Sequence, residues 1–380
     1  MGVPRGTPIF VAYRVPMNTP LSPSLDAVRA EERLSTLLIP GEISAPLLFR
    51  RGERLQRLFH SSLKNSPAPP WAPGLRITRE WRIITESFLP WAEIEPPLQR
   101  LISLGLSYPP PFDPLTIFPS WPDFLERFPV VDGVTADPGI LLHRLLADAD
   151  LRRRWLFTLF LPKEHGGGFG RYPVQQRYLR EWMTRRLQRG EREISCLDAA
   201  CGSGEGSWEL LQLCRECGFS RKEVTIRGSS LDPLELFAAA HACFPHDQER
   251  EREYRRRIHP LMTAGFADRL SFVREDLALP SESHEQYDLI LCNGLLGGPL
   301  LHDPEVMERV VAGLVRRLRP GALLLAADRF HDGWLKQSPK GVREALLRKW
   351  GMRILETGEG IGGELSEPSV VHMTLLGLLP

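Results

Sequence analysis

Residues 194–211, ISCLDAACGSGEGSWELL, decide the fold. An apolar run ends in an acid, Asp198, turns through Ala200, Cys201, Gly202 and Gly204, and opens past Glu205 into a helical pattern read over 207–218. This strand–turn–helix order is how open α/β sheets carry backbone amides to a ligand at the carboxyl end of a strand. Gly202 and Gly204 let the main chain approach a ligand whose space a Cβ would occupy. Asp198 stands where it accepts hydrogen bonds from an ammonium or hydroxyl group. A dinucleotide-binding loop needs another glycine three residues beyond Gly204, and Ser207 is found there, so the match to a nicotinamide site is poor.

The same grammar repeats downstream. Residues 224–232, VTIRGSSLD, read as a second strand ending in Asp232, and Pro233 then opens a helix over 233–242. In a doubly wound sheet this second acid lies beside the first turn, where a carboxylate accepts both hydroxyls of a ribose. Residues 270–277, LSFVREDL, bring Asp276 and Leu277 to a third strand end, and 287–293, YDLILCN, bring Asn293 to a fourth. A fifth buried strand follows the Pro-Gly turn in 318–328. Four successive strand tips carrying Asp, Asp, Asp and Asn describe a polar rim above one sheet edge. At the carboxyl end, 342–350 reads as a helix, 352–357 and 369–378 as strands, and 358–368 as a surface loop between them.

From about residue 166 to residue 380 the chain resembles the class I S-adenosylmethionine (SAM)-dependent methyltransferases. Within them it is most similar to the CheR-type enzymes that methylate glutamates on bacterial chemotaxis receptors. ACGSGEGSWEL resembles the family's small-Cys/Ala-Ser-Thr-Gly-Glu-Glu-Pro-Tyr-Ser loop, with Glu205 on the first glutamate and Trp208 on the tyrosine. FGRYPVQQRYL, residues 169–179, resembles the family's Phe-Phe-Arg-Asp-Pro element, which makes Arg171 the arginine that reaches the SAM carboxylate. The resemblance implies a Rossmann-like, seven-stranded α/β sheet with an antiparallel last strand, and SAM as cofactor. It places the methionine end on Arg171 and Glu205, the ribose on Asp232 and the adenine on Asp276, with Asn293 in the segment after the fourth strand. The family's Arg-Asn and Tyr-Phe after that strand are replaced by CNGLLGGPLLHD, a departure on the acceptor side. The family's insertion after the second-strand helix is here a charged, helical 244–267 rather than three strands.

Composition narrows the partners. A formal net charge of +1 gives no global attraction to nucleic acid or anionic membrane. Arg255–Arg257 alternate with glutamates upstream and read as a solvated helix face. No apolar stretch approaches the ~20 residues of a membrane span, and the first residues lack signal-peptide form, so the expected location is the cytoplasm. Six cysteines in 380 residues do not make a disulfide framework. Cys214 and Cys217 form a CxxC inside a helical stretch without a second pair, and two thiols on one helix face is the plain reading.

The chain is long enough for two domains. Residues 1–163 read as a mainly helical, Pro- and Trp-rich domain, and 164–380 as the SAM-binding methyltransferase domain. Helical spacing appears over 25–38, 81–91, 97–106 and, most clearly, 137–160. Trp71, Trp81, Trp91 and Trp121 read as packing anchors. Between the halves, EHGGGFGR at 164–171 reads as a lid over the ligand or as a plain connector, with His165 at its mouth. A carboxylate acceptor is already ionised and needs no general base. A hydroxyl or amine would need one, and His302, Asp303 and His331 lie in loops where a base can stand. Three functions stay open: a methyltransferase acting on a protein carboxylate or another acceptor, a small-molecule methyltransferase, and a SAM-binding scaffold without turnover. No partner follows for the amino-terminal domain.

Overall fold

The computed structural model describes residues 19–66, 76–127, 136–162, 168–280, 283–328 and 336–366. Trp71, His165, His331 and the strand expected at 369–378 lie outside these residues. The chain divides into two compact units, one built on Glu32–Leu156 and the other on Pro20–Glu31 with Phe157 onward.

The first unit is helical. Its sequence order is α1 (Ala27–Ser35), α2 (Pro46–Asn65), α3 (Arg79–Phe88), α4 (Trp91–Gly105), α5 (Trp121–Arg127), α6 (Pro138–Ala147) and α7 (Ala149–Phe160), with the ends of α1 and α7 belonging to the second unit. The continuous helix expected over 137–160 is two helices. Asp137 caps α6 by accepting from the amides of Gly139 and Ile140, and Asp148 starts α7 by accepting from those of Asp150 and Leu151. A side chain that satisfies free amides starts a new helix more readily than it sits inside an old one. The longest helix, α2, had no counterpart among the expected segments. Trp91, Phe118, Trp121 and Phe124 form an aromatic cluster, with Trp121 and Phe124 stacked at 5.1 Å, while Trp81 is only half-buried.

The second unit is an α/β fold around a seven-stranded sheet. Its elements are α8 (Pro173–Gln188), β1 (Ile194–Ala199), α9 (Glu205–Cys217), β2 (Val224–Ser230), α10 (Pro233–His241), α11 (Gln248–Thr263), β3 (Leu270–Arg274), β4 (Tyr287–Leu291), α12 (Pro304–Arg316), β5 (Leu318–Ala326), α13 (Lys340–Lys349), β6 (Met352–Leu355) and β7 (Ile361–Leu365). The strand order is β3-β2-β1-β4-β5-β7-β6. β1 to β5 are mutually parallel, and β7 runs antiparallel to both β5 and β6. This is a Rossmann-like arrangement with an antiparallel strand next to β5. β1 lies inside the sheet between β2 and β4, with Cys196, Leu197 and Ala199 fully buried. The order reverses between β1 and β4, and such a switch point opens a crevice at the strands' carboxyl ends.

β7 corrects one expectation, because it lies inside the segment read as a surface loop. Its glycines are used for close approach: a Cβ on Gly362 would stand 2.6 Å from Thr357 Cγ2 and 2.8 Å from Leu325 Cδ2. Strand propensity penalises glycine, while close packing against β5 requires it. At the other edge, Leu21 exchanges backbone hydrogen bonds with Phe272 of β3, covering a strand that would otherwise be bare.

Candidate functional site

The turn after β1 is held by its own backbone. The Cys201 amide donates to the Ser229 carbonyl of β2 at 2.8 Å, and the Gly204 amide to the Cys201 carbonyl at 3.0 Å. Ala200, Gly202 and Gly204 all take positive φ, at 68°, 54° and 86°. The two glycines do different work. A Cβ on Gly202 would meet only Glu235 Oε1, at 3.8 Å, so its face is uncrowded. A Cβ on Gly204 would fall 2.6 Å from Ala239 Cβ and 3.1 Å from the Phe272 ring. Gly204 therefore seats α9 against α10 and β3.

Asp198 occupies the tip of β1, and its Oδ2 accepts from the Ser207 hydroxyl at 2.7 Å. No hydrogen bond from the described residues reaches Oδ1. Burial, with Glu205 and Glu209 nearby, pushes this carboxyl up to about 6 against the hydrogen bond from Ser207. A carboxylate that is poorly solvated and holds one open oxygen is a receptor for a cation or a hydroxyl donor.

Glu205, by contrast, is already engaged. Its Oε1 accepts from Arg250 Nη2 and its Oε2 from Ser203 Oγ, each at 2.7 Å. Arg250 Nη2 also reaches Ser203 Oγ, and the Tyr254 hydroxyl donates to the Ser203 carbonyl at 2.7 Å. Arg250 and Tyr254 both belong to α11, so the charged insertion is bonded to the glycine turn. The exposed-face reading holds for Arg256 and Arg257, which pair with Glu253 in solvent. It fails for the opposite stripe, where Tyr254, Ile258 and Leu261 are buried.

At the second strand tip, Asp232 is the cap of α10, its Oδ1 accepting from the Leu234 amide at 2.9 Å, with Pro233 at the first helical position. One turn on, Glu235 accepts from Ser230 Oγ through Oε2 and turns Oε1 toward Gly202. Burial first, then the Asp232 charge, pushes its carboxyl up to about 8. Glu235 was missed in the sequence because an acid in the first turn of a helix ordinarily answers the helix dipole. Its one signal was the Ser230–Glu235 spacing across the strand tip.

The remaining expected residues are spread around this centre. Asp276 closes a turn past β3, its Oδ1 accepting from the Ala278 amide at 2.9 Å, and Leu277 packs on the apolar core between the sheet and α12. Asn293 exchanges two hydrogen bonds with Gln175 of α8, at 2.8 and 3.0 Å, and accepts from the Ala327 amide. Its amide is thus a joint between α8 and the ends of β4 and β5. Arg171 precedes α8 with its guanidinium 5.6 Å from the Tyr172 ring centre. The neighbouring Gly170 amide donates to Glu209 of α9, a second acid the sequence did not single out.

Among the candidate bases, His302 is exposed and turned to the Pro299 carbonyl, and Asp303 caps α12. Cys201 and Cys292 are buried, and burial raises both thiols, that of Cys292 to about 12. No group of three metal-ligating side chains occurs among the described residues. None of their helices is long and apolar enough to cross a membrane.

No protein-family model and no curated protein matches the chain. Solved structures match it at low identity. The SpnF cyclase is 17% identical over 48% of this chain and 59% of its own, with a TM-score of 0.33. A TehB-like SAM-dependent methyltransferase from Corynebacterium glutamicum is 16% identical over 52% of this chain and 99% of its own, with a TM-score of 0.32. The sugar N-methyltransferase KedS8 from Streptoalloteichus is 16% identical over 52% and 89%, with a TM-score of 0.35. Likeness at this level carries no weight for activity, substrate or cofactor.

Proposed function

We propose that the second unit binds SAM at the carboxyl ends of β1 and β2 and transfers its methyl group. The observation that carries this reading is the pairing of two underused carboxyl oxygens, Asp198 Oδ1 and Glu235 Oε1, with the uncrowded face of Gly202 at a topological switch point. The chemistry of the donor set fits the cofactor. An ammonium suits Asp198, a vicinal diol suits the Asp232–Glu235 edge, and the exocyclic amine of adenine suits Asp276. Arg171, Ala200 and Cys201 complete the rim by the same reading.

Bound SAM supplies an electrophilic methyl group on a sulfonium. The chain's part is alignment, since in-line displacement is governed by how acceptor, carbon and leaving group are held. Asp198, fixed by Ser207, orients the amino-acid end. Asp232 and Glu235, both fixed through Ser230, orient the nucleoside. Among the described candidate bases, His302 faces solvent and Asp303 is committed as a cap, which favours an acceptor nucleophilic without deprotonation, such as a carboxylate. The helical form of the insertion and its attachment to the glycine turn favour an acceptor other than a receptor tail docked on strands.

Calorimetry with S-adenosylhomocysteine (SAH) tests this. Micromolar binding by the wild type, weakened at least about tenfold in Asp198→Ala, is the expected result. A folded wild type that binds neither SAM nor SAH would sink the proposal.

A further inference from the structure

The acid expected to hold the ribose, Asp232, is almost fully buried and spends Oδ1 on the first turn of α10. We propose that Glu235 is the residue that meets the ribose hydroxyls of the bound nucleoside, with Asp232 behind it as a positioning cap. This deepens the SAM-binding reading and rests on it.

The geometry begins at Ser230, the last residue of β2. Its hydroxyl donates to Glu235 Oε2 and accepts from the Asp232 amide at 3.2 Å. One buried hydroxyl therefore fixes both the strand-to-helix turn and the rotamer of Glu235. The remaining oxygen, Oε1, has no hydrogen-bond donor among the described residues. It lies 3.8 Å from where a Gly202 Cβ would stand, on the face of the glycine turn that no other atom approaches as closely. The neighbouring Gly204 offers no such room, being packed against Ala239, Phe272 and Tyr254. An acid held by its rear oxygen beside an uncrowded main-chain face is preorganised for a ligand hydroxyl.

The surrounding charges agree with this role. Asp232 and Glu205 disfavour a charge on Glu235, Arg250 favours one less strongly, and burial dominates. The carboxyl is therefore largely protonated near neutrality and can both donate and accept, as a ribose hydroxyl can. An anionic substituent on the ribose would meet Asp232 and the Glu235 carboxyl, while Arg250, the cation nearby, is paired with Glu205. Glu235 thus selects a plain diol over a phosphorylated one.

The test compares SAH with its 2′,3′-dideoxy analogue by calorimetry, on wild type, Glu235→Ala, Glu235→Gln and Asp232→Asn. Thermal unfolding checks that each variant is folded. The wild type should prefer SAH by about tenfold or more, a preference of the size that one or two buried hydrogen bonds give. Glu235→Ala should bind both ligands alike within about twofold, and Glu235→Gln, which keeps a donor and an acceptor at neutral pH, should retain most of the preference. Asp232→Asn, still a good helix cap, should retain it too. A preference that survives Glu235→Ala, or that vanishes in Asp232→Asn while surviving in Glu235→Gln, overturns the assignment. Wild type that binds neither ligand defeats the SAM reading itself, a separate outcome.

Discussion

Asp198 joins a stability penalty to a binding role. Its carboxyl titrates near 6 rather than 3.8 because burial opposes the charge more than Ser207 supports it. Between those two values the native state holds a proton that the unfolded chain has already released. Stability therefore falls as pH rises through this window, and above it the whole difference, about 3 kcal/mol, is present. Asp198→Asn removes the charge while keeping an oxygen for Ser207. The variant should be more stable than wild type by about 1–3 kcal/mol in denaturant at pH 7.5, yet bind SAH at least about tenfold more weakly. Loss of stability in that variant would show that the carboxylate is better solvated than its burial implies. The place of Asp198 at the tip of β1 was legible in the sequence, since it closes an apolar run before a turn of small residues. Glu235 was not, because its meaning depends on which way its oxygens point, and spacing along a helix does not encode that.

The inserted helix α11 shows the same limit among elements. Its alternating charges read as a solvated surface, and half of them are. Arg250, however, continues the buried stripe of Tyr254, Ile258 and Leu261 by one more turn, and its partner Glu205 lies 45 residues earlier. Periodicity locates such a stripe, but not the element that it covers. The pair is nearly dry, with Glu205 3% and Arg250 14% exposed, so removing one member strands a buried charge. Arg250→Met should destabilise the protein by about 2–4 kcal/mol at neutral pH, somewhat below a fully buried pair because water reaches the guanidinium edge. Adding Glu205→Gln removes the stranded charge. The double variant should therefore be less destabilised than the two single effects combined, by about 1 kcal/mol or more in chemical unfolding. Simple additivity would mean that the two side chains act independently and that α11 is not anchored through them. A similar lesson holds for β7, whose glycines hid a strand that only its tight contact with β5 explains.

At the scale of the whole molecule, the repeated strand-and-acid units gave the five successive strands that pair in parallel, while their order in the sheet was not legible. What stayed illegible were the parts fixed by long-range contact: β7, the Gln175–Asn293 joint, and the attachment of α11 to the glycine turn. The formal net charge of +1 means that global repulsion does not set the response to pH. Individual buried groups do. His246, whose Nε2 lies 2.8 Å from the Leu161 carbonyl, is pushed down to about 4 by burial, so acidification below 6.5 favours the unfolded chain, which takes up the proton more readily. Asp198 acts with the opposite sign over nearly the same range, and the two oppose each other there. Above pH 6.5 His246 no longer opposes Glu235, whose native carboxyl keeps its proton up to about 8 while the unfolded one has lost it near 4.5. Burial also raises Cys292 and Tyr254, which extends the same sign into the alkaline range. The protein should therefore be measurably less stable at pH 8.5 than at pH 6.5 in chemical denaturation. Glu235→Gln, which cannot ionise, should flatten the profile between those values while leaving the decline above pH 9. A wild-type profile that is level or rising from 6.5 to 8.5, or one that Glu235→Gln leaves unchanged, would mean that Glu235 is ionised in the folded protein. The diol-facing edge of the site would then be a fully charged pair of acids, requiring a counter-cation before any nucleoside could settle against it.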